Sequence, residues 1–175
     1  RLRAVSCAVV TSAVSVIRDN ARMNVRADEL NLQSCATAYP ANDIRQPLRV
    51  IIDSKNRLTP DLLLFSQPTP VLILRTNLES EHEWPHFVEQ LEVSKVQHSG
   101  SVCLQSVIKL LADRGLNEIL IEAGNQLVGA FIEQGLVDEL VLYLAPKLMG
   151  AEAMNLVAMP SIKQLADSVS LDIKD

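Results

Sequence analysis

Residues Glu118–Gly150 read EILIEAGNQLVGAFIEQGLVDELVLYLAPKLMG. The segment opens with a short apolar run, Ile119-Leu120-Ile121, that ends in a carboxylate, Glu122, with Gly124 just beyond. Leu127, Val128, Phe131 and Ile132 then recur at helical spacing until Gly135, the residue type that most often ends a helix. A second apolar run, Leu140 to Ala145, is apolar at odd and even positions alike, the pattern of a strand buried on both faces. Strand, short helix and buried strand make a βαβ unit, whose parallel strands need a right-handed crossover. Ligands of such sheets bind beyond the carboxyl ends of the strands, which places function at Glu122 and Gly124.

The turn from Gly124 into the helix suits an anion. The first N–H groups of a helix lack partners inside it and carry the positive end of the dipole. Gly124 and Gly129 would let a phosphate approach the backbone. The spacing alone is not a nucleotide motif: Ala130-Phe131 stands where a Walker A loop needs Lys-Ser/Thr, and the turn is not GxGxxG. The plainer reading has Gly124 making the turn and Asn125 capping the helix.

Just before this unit, Leu104, Val107, Ile108 and Leu111 predict a helix over Ser101–Arg114 that Gly115 ends. Two buried strands precede it, Pro47–Asp53 and Val71–Thr76. The turn Ser54-Lys55-Asn56-Arg57 reads equally as an ordinary polar turn or as a phosphate site of hydroxyl, N–H and guanidinium. Trp84-Pro85 starts a weak helix reaching about Leu91. At the amino end, Ala4–Val10 reads as a strand, and Thr11-Ser12 can cap a short helix to Arg18. Asp19–Asn24 is polar and irregular, and Arg26–Asp43 is loop-like: a solvated loop, or an active-site loop hung from a strand end. After Gly150 come a loop, Ile162–Leu165 and a final strand over Val169–Ile173. The order is that of one α/β domain over residues 1–175 with a mostly parallel, twisted sheet flanked by helices.

Composition agrees with a globular domain. Of 175 residues, 48% are hydrophobic and 21% charged, and the net charge is −5, against a nucleic-acid surface, which needs a basic patch. Cys7, Cys35 and Cys103 are odd in number and far apart, the pattern of reduced cytosolic thiols rather than of a disulfide framework or zinc site. His82, His86 and His98 lack ligand spacing, so no metal is expected. No apolar run approaches a membrane span. The apolar stretch after Arg1 and Arg3 is interrupted by Ser6, Thr11, Ser12 and Ser15, against a signal peptide.

The chain resembles the reductase domain found C-terminal in the bifunctional bacterial riboflavin-biosynthesis protein family (RibD). Three stretches carry the likeness. Glu122-Ala123-Gly124-Asn125-Gln126-Leu127 is followed by Gly135-Leu136-Val137-Asp138-Glu139 and Ala145-Pro146-Lys147-Leu148-Met149-Gly150. At the amino end, Leu2-Arg3-Ala4 and Thr11-Ser12 lead to Asp19 and Arg26. The third stretch is Arg45–Ser54, RQPLRVIIDS. Where the family usually reads Asp-Asp-Pro-x-Leu-Thr-x-Arg, Asp19–Arg26 keeps the first Asp and the Arg and lacks the second Asp, the Pro and the Thr.

The resemblance implies a dihydrofolate-reductase-like fold and NADPH-dependent reduction of the ribosyl group of 5-amino-6-(5-phosphoribosylamino)uracil to ribityl. It implies that Ser15, Asp19, Ser54 and the turn Gly124, Asn125, Gln126, Leu127, Val128, Gly129, Ala130 contact NADPH. Arg3, Met23, Arg26 and Glu122 would contact the phosphorylated pyrimidine substrate, with Asp19 and Glu122 as the catalytic carboxylates. It further implies a cytoplasmic homodimer and a fused zinc deaminase, whose His-x-Glu and Pro-Cys-x-x-Cys motifs do not occur here. The family's first reductase strand is not found before Arg1, and a last strand is expected beyond the carboxyl end. The runner-up reading is a non-catalytic, degenerate module for dimerisation or substrate channelling. A reductase of the diaminopyrimidinone is a close variant, and dihydrofolate reductase itself fits less well.

Overall fold

The computed structural model describes residues 1–26, 44–79 and 81–173. Most of the loop expected over Arg26–Asp43, with Cys35, lies outside these residues. In chain order the elements are α1 (Leu2–Val5), β1 (Ala8–Ser12), α2 (Ala13–Asp19), β2 (Leu48–Ile52), a 3-10 turn (Leu63–Phe65), β3 (Val71–Arg75), β4 (Val88–Glu92), α3 (Leu104–Asp113), β5 (Ile119–Ile121), α4 (Asn125–Glu133) and a second 3-10 turn (Leu165–Asp167). They fall into two compact units, 1–123 and 124–175.

The first unit holds a five-stranded sheet of order β4-β3-β2-β1-β5. Every pairing is parallel: Val10 faces Val50 on one side and Ile121 on the other, and Ile51 faces Ile73. Strand residues alternate faces, so Val9, Ile51 and Ile73 lie on one side of the sheet and Val10, Val50 and Leu72 on the other. All six are fully buried, as a parallel sheet covered on both faces demands. On the first side Val9, Ile51 and Ile73 join Ala13 and Val16 of α2, together with Met23, Leu58 and Leu64. Helix α3 buries Leu104, Val107 and Leu111, three of the four positions its period marks, with Ile108 half-buried. Because the strands are parallel, the residues that follow them emerge on one edge: Asp53 after β2, Thr76 after β3, Glu122 after β5.

Local chemistry explains the ends. Ser12 caps α2, its hydroxyl accepting the Ser15 N–H at 3.2 Å. Gly115 ends α3 at φ +75°, and Gly135 follows α4 at φ +65°. Expectations over the first residues change: Leu2–Val5 is a helical turn, and β1 begins only at Ala8. The Arg45 guanidinium donates to the carbonyls of Ala4, Val5 and Ser6 and closes that turn. The helix expected from Trp84 is instead the edge strand β4, because β3 offers its unpaired side and tertiary pairing overrides weak local propensity.

In the second unit α4 forms as expected, but the strands expected around it do not. Leu140–Ala145 carries no strand pairing among the described residues, and Tyr143 and Leu144 are 79% and 84% exposed. Val169–Ile173 is likewise exposed and carries no strand assignment. A strand needs a partner for its backbone groups, and among the described residues neither segment has one. The βαβ unit expected over Glu118–Gly150 is therefore present only as its first strand and helix.

Candidate active site

Arg3 on α1 and Glu122 at the end of β5 form a bidentate pair. Arg3 Nε donates to Glu122 Oε2 at 2.7 Å, and a terminal nitrogen of Arg3 donates to Oε1. The other terminal nitrogen donates to the Asn24 carbonyl at 2.8 Å. The fork of the guanidinium matches a carboxylate in this way. Glu122 is held in turn by its own N–H, which donates to the Val10 carbonyl of β1 at 2.9 Å. The pair is partly exposed, 25% for Arg3 and 43% for Glu122. Such pairs add little stability, so its consequence is geometric: it presents a cation and a carboxylate together at the carboxyl edge of the sheet.

The Asn24 carbonyl belongs to the segment Asn20–Arg26, which has no regular secondary structure. Side chains take the place of a ladder. Asn20 adopts a left-handed conformation at the end of α2, and its Oδ1 accepts the Leu63 N–H at 3.0 Å. Arg49 donates to the Arg22 carbonyl, and also to those of Leu64, Gln67 and Thr69. Asn24 Nδ2 donates to Gln67 Oε1 at 3.1 Å. The Gln46 amide accepts the Val25 N–H at 2.8 Å and donates to the Val25 carbonyl at 3.2 Å. Met23 lies at φ +56° with its side chain buried in the core. Burial pushes the Arg49 guanidinium down to about 10, so it is still charged at neutral pH, and its four carbonyl acceptors favour that charge.

A second constellation follows β2. Asp53 is 1% exposed, and its carboxylate accepts the N–H groups of Arg57 at 2.9 Å and Leu58 at 3.1 Å. Arg75, equally buried, reaches Asp53 Oδ2 at 3.4 Å, donates to Gln90 Oε1 at 2.6 Å and lies over the Trp84 ring at 5.1 Å. These contacts fix the turn that presents Ser54. The Ser54 hydroxyl accepts the Val102 N–H at 3.2 Å, and its own proton remains available to donate.

In the second unit, the cap of α4 is Gly124, at φ −69° and ψ 166°, which brings no side chain of its own to the helix start. Asn125, expected as the cap, is the first helical residue. Gly124 is not in a left-handed conformation, so any branched residue could adopt its backbone. Leu127 and Val128 turn their N–H groups to the Gly124 carbonyl. Those of Asn125 and Gln126 have no acceptor within the helix. Gly129 has a different reason from the one its spacing suggested. A Cβ there would run into the Ala158 carbonyl oxygen, so this glycine admits a neighbouring backbone. The Ala158 N–H donates to the Asn125 carbonyl at 3.1 Å on the same contact.

Of the residues singled out from the sequence, Arg3 and Glu122 are brought into direct contact. Ser15 lies in the first turn of α2, its hydroxyl 3.1 Å from that of Ser12. Asp19 is the exposed last residue of the same helix, and Arg26 is exposed at the end of the pinned segment. The Met23 side chain is a core side chain. Sequence reading missed Gln46, Arg49 and Gln67, which hold the segment carrying Met23 and Arg26. The signal was present for one of them: Arg49 interrupts the apolar run Leu48–Ile52.

Comparison with known proteins gives one family. The model for the RibD C-terminal domain matches residues 1–174. The riboflavin biosynthesis protein RibD of Escherichia coli is 40% identical over 174 residues, 99% of this chain and 46% of the relative. A 5-amino-6-(5-phosphoribosylamino)uracil reductase of Buchnera aphidicola is 31% identical over 176 residues, 100% of this chain and 83% of the relative. Among solved structures, Acinetobacter baumannii RibD superposes with a TM-score of 0.78 at 27% identity, over 99% of this chain and 44% of that one. The chain thus spans less than half the length of the RibD proteins it matches. Its α/β architecture is the dihydrofolate-reductase-like one that the resemblance implied. The chain belongs to the RibD C-terminal domain family.

Proposed function

We propose that this domain reduces the ribosyl group of 5-amino-6-(5-phosphoribosylamino)uracil to ribityl with NADPH, in riboflavin biosynthesis. The observation that carries the reading is the Arg3–Glu122 pair tied to the Asn24 carbonyl, because it sets a cation and a carboxylate beside the segment of Met23 and Arg26. Arg26 would hold the substrate phosphate, and Arg3, Met23 and Glu122 would meet the pyrimidine and sugar. Glu122 and Asp19 would orient the sugar hydroxyls and the ring-opened imine. The cofactor supplies the hydride when bound. In the second unit the Asn125 and Gln126 N–H groups that follow Gly124 would donate to its pyrophosphate, and in the first unit the Ser54 hydroxyl, with Arg57, would donate to its 2′-phosphate. Ser15 and Asp19 would contact the rest of the cofactor. The domain would work in a cytoplasmic homodimer beside a zinc deaminase of the same polypeptide.

The test is loss of NADPH absorbance on addition of the phosphorylated pyrimidine, with ribityl product formed in equal amount, by the intact polypeptide. Gly124→Val should largely abolish NADPH binding while the fold survives, since the backbone angles at Gly124 are open to valine and a branched side chain would stand where the phosphate approaches. Ser54→Asp should weaken NADPH more than NADH, because only NADPH carries a 2′-phosphate to repel. No oxidation and no binding would point to the non-catalytic module instead.

A further inference from the structure

We infer that Gln46 is a positioning residue for the substrate phosphate, acting through Arg26. The inference rests on the reading of Arg26 as the phosphate cation. Gln46 lies two residues before β2, in a stretch fixed on both sides: Arg45 donates to the Ser6 carbonyl at 2.7 Å, and the Leu48 N–H donates to the Cys7 carbonyl at 3.0 Å. From this anchored base its amide makes two bonds to one residue, accepting the Val25 N–H at 2.8 Å and donating to the Val25 carbonyl at 3.2 Å. The N–H belongs to the peptide joining Asn24 to Val25. The carbonyl belongs to the peptide joining Val25 to Arg26. One side chain therefore fixes both peptide planes that lead into Arg26, as a neighbouring strand would.

Among the described residues the segment has no regular secondary structure. The ties from Arg49 to the Arg22 carbonyl, from Arg3 to the Asn24 carbonyl and between Asn24 and Gln67 act earlier in the chain. The buried Val25 side chain, 7% exposed, sets the depth of the segment; it does not set the direction in which Arg26 leaves it. A long, flexible cation on an unpinned backbone would give up much of its affinity to ordering when the phosphate binds. A pinned backbone removes part of that loss beforehand.

The experiment compares Gln46→Leu, Arg26→Ala and the double variant on the phosphorylated substrate and on the same substrate without its phosphate. Gln46→Leu keeps the volume and loses both bonds. It should raise KM for the phosphorylated substrate about two- to tenfold, leave kcat and the NADPH dissociation constant unchanged, and leave the phosphate-free substrate unaffected. The double variant should be no worse than Arg26→Ala alone. Should Gln46→Leu fail to bind NADPH, Gln46→Glu, which keeps the acceptor for the Val25 N–H, carries the same comparison. If Arg26→Ala raises KM and the Gln46 variant does not, or if the two losses add, or if the phosphate-free substrate suffers equally, Gln46 does not act through Arg26. If Arg26→Ala itself leaves KM unchanged, the reading of Arg26 falls, and this inference with it.

Discussion

Arg49 shows how one residue can do what no local pattern announces. It is 1% exposed on β2, and its partners are four carbonyls rather than a carboxylate. Arg75, also 1% exposed, does the opposite and pairs with Asp53. A buried cation is tolerated only when its donors are used, and Arg49 uses them to tie the Arg22 and Leu64–Thr69 segments to the sheet; only its Nε lacks a partner among the described residues. Arg49→Met would fill a similar volume and take the guanidinium donors from the Arg22, Leu64 and Thr69 carbonyls, while the Gln67 carbonyl keeps the Thr69 N–H, at a cost of about 3 kcal/mol. A drop in the urea midpoint at unchanged slope checks this, and an unchanged midpoint would mean that water or neighbours replace the donors. In the sequence Arg49 appears only as a charge in an apolar run, which is enough to mark it as unusual and too little to name its partners. Arg3 and Glu122 were legible for another reason: each belongs to a family motif, and the fold then brings them together from the two ends of the first unit.

Helix α4 was legible as an element, from its apolar period and the closing Gly135, whereas the purpose of Gly129 inside it was not. The glycine answers a contact with Ala158, distant in the chain, and spacing rules see only neighbours. Gly129→Ala should raise intrinsic helix propensity by ~1 kcal/mol, yet its Cβ would collide with a backbone carbonyl that cannot turn aside. We expect net destabilisation of about 1–3 kcal/mol, with the Ala158 amide losing its protection from exchange first. A second tie on the same helix depends on pH. The Ser161 hydroxyl and N–H both donate to Glu133 Oε1, and they hold the Glu133 carboxyl below its ordinary value. A carboxyl lowered in the folded state stabilises it above the unfolded pKa, and that contribution fades as pH falls through the folded value. The Ser161 amide should thus stay protected from neutral pH down through the usual glutamate range and open only below it. Carboxyl titration by NMR reads the lowered value directly, and Ser161→Ala should raise it toward normal. A Glu133 that titrates normally in the parent would remove the tie. Strand β4 is the converse case: its residues favour no structure strongly, and the open side of β3 decides.

Across the whole molecule, burial and backbone pairing are distributed unevenly. In the first unit, strands β1, β2 and β3 pair on both sides and their inward residues are fully buried. In the second, Leu140–Met149 is apolar yet exposed, and the described backbone bonds after Leu136 are a few short turns and the Ala158 contact. Leu140–Ala145 has the composition of a buried strand and is exposed: burial is a property of pairs, and the sequence of one segment cannot state whether its partner is present. Amide exchange separates the cases. Opening free energies run from near zero in unpaired segments up to the global stability in core strands. The amides of Val9–Thr11, Val50–Ile52 and Leu72–Leu74 should therefore exchange roughly a thousandfold or more slower than those of Val141–Leu144 and Val169–Ile173. The contrast should hold in native buffer at any protein concentration if these segments are unpaired in solution as they are here. If Val141–Leu144 instead exchanged as slowly as β2, the strand expected from its sequence would exist in solution, and a dependence of that protection on protein concentration would identify another copy of the chain as what covers it.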